Sequence, residues 1–290
     1  MKLATWNVNS LTVRLPQLLD WLALNQPDVV VLQETKLTDD KFPHAELAAA
    51  GWHCAWFGQK TYNGVALLAR SEPTAIIKNI PGFEDAQARV IAGTVGELRV
   101  IGAYFPNGQA PGSDKFAYKM AWLSALRGWL QNELAAHSNL VLMGDYNIAP
   151  DDRDVFDPVA WAGQIHCTDE ERAHFQGLVG LGLVDTFRMF EQAPRLWSWW
   201  DYRNLRFARI RACALTTSWS ARPWSLRCRP ATSTSCRART SDPAITHRWW
   251  CNLRSPLFHP PPRDAWHDFA PRQPRRAARQ PKSEPCICQR

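Results

Sequence analysis

Several apolar runs in this sequence end in side chains that can orient water, take up a proton or hold an ion through oxygen. Leu140-Val141-Leu142-Met143 is followed by Gly144 and then by Asp145 and Asn147. On an extended chain residues i and i+2 point the same way, so this carboxylate and amide face one point. The C-terminal end of a buried strand is a usual place for a site in α/β proteins. The start of the chain closes in the same manner at Asn7 and Asn9. Val29-Val30-Val31-Leu32 ends in Gln33, Glu34 and Thr35. Val100-Ile101-Gly102-Ala103 ends in Tyr104 and, two residues later, Asn107. Any one of these reads equally as a strand end closed by an Asx turn. Four together predict one polar site on the rim of a sheet.

The elements that must carry these groups follow from periodicity. Leu15, Leu18, Leu19 and Leu22 make an amphipathic helix over 15–24 with Pro16 near its start. Glu46–Ala50 reads as helix stopped by Gly51. Ala55–Gly58 and Val65–Ala69 pair around Tyr62-Asn63-Gly64, a strong hairpin signal. Arg89–Val95 and Leu98–Ile101 pair around Gly96-Glu97. A long helix over Phe116–Leu134, with Met120, Leu123, Leu126 and Leu130 inward, returns the chain to the Asp145 strand. Helix over 170–180 and a short apolar element at Leu183–Phe187 complete the pattern. Mixed helices and hairpins imply partly antiparallel sheets in an α/β protein.

Charge divides the chain. The net charge of +7 suggests a nucleic-acid binder, but residues 209–290 hold 16 Lys and Arg against 4 Asp and Glu, leaving the rest mildly acidic. Six of the eight cysteines also lie in that tail, in spacings that suit no zinc motif. The first residues read as a strand and no stretch is long and apolar enough to span a membrane, so a cytoplasmic protein is expected. After about Phe207 periodicity ends, and Arg, Pro, Ser, Thr, Cys and Trp dominate.

The motifs, taken in order, resemble the exodeoxyribonuclease III family of DNA-repair nucleases, within the wider endonuclease/exonuclease/phosphatase fold. The matching stretches are Trp6–Ser10, Leu32–Lys36, Tyr62–Ala66, Tyr104–Gly108, Gly144–Asn147, Gly182–Phe187 and Trp197–Arg203. The likeness covers residues 1–209. It implies a four-layer α/β sandwich, two packed mixed β-sheets flanked by helices, acting as a 3′→5′ exonuclease and abasic-site endonuclease in base excision repair. It also implies Mg²⁺, or Mn²⁺ in its place, held by Glu34 with Asn7, an ion that takes one or two carboxylates and keeps several waters. By the same likeness Asp145 is the general base, Asn147 bonds a phosphate oxygen, and Tyr104 donates to the phosphate or leaving group. Arg89, Asn107, Lys115 and Lys119 are expected on the DNA backbone. Trp199, in an aromatic loop, is expected against the abasic sugar or terminal nucleotide. The partner would be double-stranded DNA with abasic sites or 3′ ends, met by a monomer with no membrane role.

The likeness stops where the family continues with a Gly-Leu-Arg-Ile-Asp-His-Ile-Leu-like strand and a later Ser-Asp-His-Ala-Pro-Val-like segment carrying the catalytic histidine. Ala212–Trp219 can be spelled in codons that, begun one base earlier, read Gly-Leu-Arg-Ile-Asp-His-Ile-Leu. Asp242–Trp250 treated alike permits Arg-Pro-Ser-Asp-His-Ala-Pro-Val-Val, with Trp249-Trp250 forcing a valine codon. The expectation is therefore a catalytic domain over 1–209 lacking its C-terminal strands, and a disordered out-of-frame tail over 210–290, leaving a poorly soluble and nearly inactive chain. Two other readings compete. One is a phosphodiesterase of the same fold acting on lipid or inositol phosphates. The other is a non-catalytic DNA-binding protein using the basic tail as an arm, whose binding would track residues 210–290 without a metal.

Overall fold

Val29-Val30-Val31-Leu32 is apolar on both faces because it becomes β2 (Val29–Gln33), buried throughout in the interior of a sheet. A computed structural model describes residues 1–189 and, beyond them, the backbone of 199–200, 212–213, 216–221 and 249–252. All of these belong to one unit, residues 1–256. In chain order the elements are β1 (Lys2–Asn7), α1 (Leu11–Asn25), β2, α2 (His44–Ala49), β3 (His53–Phe57), β4 (Val65–Ala69), β5 (Thr74–Lys78), β6 (Val90–Val95) and β7 (Leu98–Tyr104). There follow α3 (Asp114–Ala136), β8 (Leu140–Asp145), α4 (Pro158–Trp161), α5 (Asp169–Gly180), β9 (Leu183–Asp185), β10 (Trp199–Trp200), β11 (Ala212–Cys213), β12 (Thr216–Ala221) and β13 (Trp249–Asn252).

Two sheets carry the site. One has the order β13-β1-β2-β4-β3, the other β5-β6-β7-β8-β12-β9, and β10 pairs with β11 alone. The sheets face each other through Leu3, Val31 and Leu67 on one side and Ile91, Val100, Val141 and Met143 on the other. Helices α1 and α2 cover the outer face of the first through Leu18, Leu22 and Leu47. Helices α3 and α5 cover the second through Trp122, Leu126, Leu130 and Phe175. This is the four-layer sandwich that the motifs imply. Among the described residues no helix is long and apolar enough to cross a membrane.

Two expectations are corrected. Helix α1 begins four residues earlier than its leucine spacing suggests, so Pro16 lies inside it. The C-terminal strands are not missing: Thr216–Ala221 pairs antiparallel with β8, and Trp249–Asn252 pairs antiparallel with β1. The reason lies in the backbone. The free flanks of β8 and β1 offer unpaired N–H and C=O groups, and pairing with them needs little from the side chains. Thr216, Thr217, Trp249 and Trp250 are of types that favour extended chain. Other expectations for 210–290 lie outside the described residues.

Candidate active site

The loops after β1 and β2 are zipped together. Val8 N donates to Gln33 O, Ser10 N to Glu34 O and Leu11 N to Thr35 O, all at 2.8–3.0 Å. On the other side Thr35 N donates to Gly64 O and Lys36 N to Asn63 O. This framework holds Glu34 and Lys36 in the left-handed region, at φ 54 and 56°, a conformation that non-glycine residues keep only when their surroundings fix it. Gly64, at φ +87°, lets the β4 loop close in, since a Cβ there would lie 2.1 Å from Thr35 Oγ1. Gly144 serves β8 likewise, because a Cβ would lie 1.8 Å from Ala103 O on β7.

These constraints bring Asn7, Glu34, Tyr104 and Asp145 together. Asn7 Nδ2 donates to Glu34 Oε1 at 2.6 Å and to Asp145 Oδ2 at 2.9 Å. Asn7 Oδ1 accepts from Asn9 N at 3.0 Å, which fixes the amide's orientation. Lys36 Nζ lies 2.9 Å from Glu34 Oε2. The second oxygen of Asp145 accepts from Asn147 N at 3.2 Å, an Asx turn that carries Asn147 into the left-handed region. The turn and the site are thus one feature rather than alternatives. Burial, and to a lesser degree the Glu34 charge, raises the Asp145 carboxyl to about 6, against the Asn7 hydrogen bond. Burial also pushes the Tyr104 phenol well above its ordinary 10, helped by Glu34 and Asp145 and opposed by Arg89.

The donors fit a hard divalent ion. They are oxygen groups with two carboxylates sharing one amide, and a bound cation would offset the burial and the Glu34 charge that together raise Asp145. Among the described residues no three His, Cys, Asp or Glu side chains converge. An ion that keeps most of its waters does not require three.

A second group borders the first. Asn147 Nδ2 donates to Phe105 O at 2.9 Å, and Asn107 Nδ2 donates to Asn147 Oδ1 at 3.4 Å. His166 faces both, with Nδ1 2.7 Å from Asn147 O and Nε2 3.3 Å from Asn107 Nδ2. Sequence reading passed over His166 because it ends an irregular segment with no motif. Its only sequence signal is its closeness to the Thr168 helix cap. A cavity of about 660 Å³ opens beside Tyr104 and Asn107, lined also by Tyr62, Arg89, Lys115 and Tyr118. Lys115 is exposed there. Arg89 is mostly covered, its guanidinium bonded to Gln87 Oε1 and Tyr104 O and 5.0 Å from the Tyr104 ring. Lys119 is not a DNA contact: it is fully buried, because it lies on the packed face of α3 beside Phe116, Trp122 and Leu123. The Trp199 side chain lies outside the described residues. Its backbone pairs with Cys213 rather than forming a loop.

Arg188 is bonded to Asp154, tying the segment after β8 to the residues that follow β9. Burial raises Asp154 to about 7 and Asp185 to about 6. Between the ordinary value near 4 and these values the folded protein holds more protons than the unfolded chain. Stability is therefore expected to fall as pH rises from about 4 to 7. Asp154→Asn is expected to flatten that fall by several degrees of melting temperature between pH 5 and 8, from a linkage of at most about 4 kcal/mol. Scanning calorimetry across that range checks it.

The model of the Endonuclease/Exonuclease/phosphatase family matches residues 4–277. Exodeoxyribonuclease III of Haemophilus influenzae is 37% identical over 220 residues, 71% of this chain and 82% of that protein. A structure of the 3′ phosphatase NExo from Neisseria bound to a product DNA hairpin superposes with TM-score 0.84 at 42% identity, covering 88% of this chain and 100% of that one. An AP endonuclease from Archaeoglobus fulgidus superposes with TM-score 0.82 at 29% identity, covering 88% and 100%.

Proposed function

The chain belongs to the Endonuclease/Exonuclease/phosphatase family, among the exodeoxyribonuclease III-type hydrolases, and from that premise we propose that its site is built to hydrolyse DNA phosphodiesters at 3′ ends and abasic sites with Mg²⁺. One observation carries the reading: a single amide, Asn7, ties Glu34 to Asp145 across the gap between the two sheets.

Glu34, with Asn7, would hold the cation, which when bound neutralises phosphate charge as it builds. Asp145 has both oxygens fixed, by Asn7 and by Asn147 N, and is placed to take a proton from water. Asn147 and Asn107 present amide groups for phosphate oxygens. The Tyr104 phenol stays protonated and can donate to the phosphate or the departing oxygen. Arg89 and Lys115 border the adjoining cavity, where the DNA backbone would run.

We also propose that residues from about Ile210 are read out of frame, so that the chain carries the cation and water-orienting half of the site without the closing aspartate and histidine. Two facts support this. Strands β12 and β13 overlap the two stretches whose shifted reading restores the lost motifs, and Thr216, whose position would read Asp, lies opposite Asp145 in the β12–β8 register.

The test uses purified chain, a 5′-labelled abasic duplex and a 3′-recessed duplex. Weak cleavage is expected that requires Mg²⁺ or Mn²⁺, stops with chelator, and disappears in E34Q. Cleavage indifferent to chelator, or equal in E34Q, defeats the reading.

A further inference from the structure

Lys119 is a charge sealed under the site with no path to DNA. Its side chain is 0% exposed. Its ammonium is bonded to the Glu171 carboxylate, and it donates to Asn147 O at 2.7 Å and to Asn107 O at 3.3 Å. Burying an ammonium is costly unless it is paired and its donors are used. The Glu171 carboxylate supplies the charge. Its other oxygen is occupied by Thr168 N and Thr168 Oγ1, at the start of α5. Two of the ammonium's bonds go to the main chain of the two residues whose side chains form the amide pair.

Asn147 shows what those bonds hold. Its N–H is spent on Asp145, one hydrogen of its side-chain NH₂ on Phe105 O, and its backbone stands at φ 48°. Its carbonyl is held by Lys119 together with His166, and Oδ1 accepts from Asn107, so the residue is fixed on every side. Asn107 O is held by the same ammonium, so Lys119 joins the two loops from below, while His166 touches the same pair at Asn147 O and Asn107 Nδ2, and Asn107 Nδ2 comes within 3.4 Å of Asn147 Oδ1.

We propose that Lys119 is a positioning residue, whose buried ammonium grips the main-chain carbonyls of Asn107 and Asn147 and so sets the spacing of the amides that receive the phosphate. This rests on the nuclease reading of those two asparagines. The competing account is an ion pair that only joins α3 to α5.

The pair can be removed without leaving a bare charge. In K119M/E171M both members become apolar side chains of similar length, while E171Q keeps the Lys119 nitrogen, its bonds to both carbonyls and the helix cap but loses the counter-charge, and is expected to melt below the parent. Affinity is measured by anisotropy on a 3′-recessed duplex in chelator, with the full chain. K119M/E171M is expected to melt within a few degrees of the parent yet bind about tenfold more weakly, the worth of one hydrogen bond to a charged group. The same substitutions should cost nothing further in an N107A/N147A background, and the side-chain amide ¹H–¹⁵N signals of both asparagines should move. E171Q should bind within about threefold of the parent, and it decides the matter if the double variant fails to fold. Parent affinity in a folded K119M/E171M, or an E171Q as weak as K119M/E171M, overturns the proposal. N107A/N147A binding DNA as tightly as the parent would instead remove the nuclease reading on which it rests.

Discussion

A coding sequence given one additional base ahead of the codon for Ile210 is expected to produce a protein that cleaves abasic duplex at least about a thousandfold faster than the present chain. A positioned acid or base contributes roughly 10²–10⁴-fold, and groups that act as a unit lose far more than their share when one is missing. Glu34, Asn7 and Asp145 are already assembled, so the restored residues would join a site whose other half is in place. The β12–β8 pairing puts position 216 across from Asp145, so an aspartate there would reach the site without rearranging the sheet. Single-turnover cleavage by the two proteins, at equal Mg²⁺, is the measurement. Equal rates would mean that the tail is native as it stands.

In the restored protein Asp145→Asn is expected to lower the cleavage rate by at least about 10³-fold, while the protein melts no lower than its parent at pH 8. The two effects have opposite signs for one reason. Burial raises the Asp145 carboxyl to about 6, so above that pH the folded state carries an unfavourable buried charge that the amide lacks. The charge that costs stability is the one that would take the proton from water. A D145N protein that is both slow and unstable would point to a structural defect instead. Melting curves beside initial rates separate the outcomes.

The four strand ends were legible because burial on both faces leaves an uninterrupted apolar run, and β2 and β8 are buried along their full length. The hairpin of β3 and β4 was legible from Asn63-Gly64. Strand β5 was not: it lies on a sheet edge, mostly exposed, with Ala75 in the left-handed region and a register shift against β6, so no alternation marks it. Lys119 was misjudged because its charge drew more weight than its place on the stripe of Phe116, Leu123 and Leu126. The spacing of that helix already pointed it inward. The meeting of Asn7, Glu34 and Asp145 joins residues on both sheets, and strand patterns alone do not say which sheet a strand enters.

The pairing of residue 2 with residue 252 has a bearing on how the protein is made. A ribosome delivers β1 first and its outer neighbour almost last, and β8 likewise waits for β12. Through most of synthesis two ready-made templates for strand addition stand open, available to any extended segment, including another nascent copy. A change in the last third of the gene therefore acts on the fate of the newborn polypeptide as well as on its chemistry.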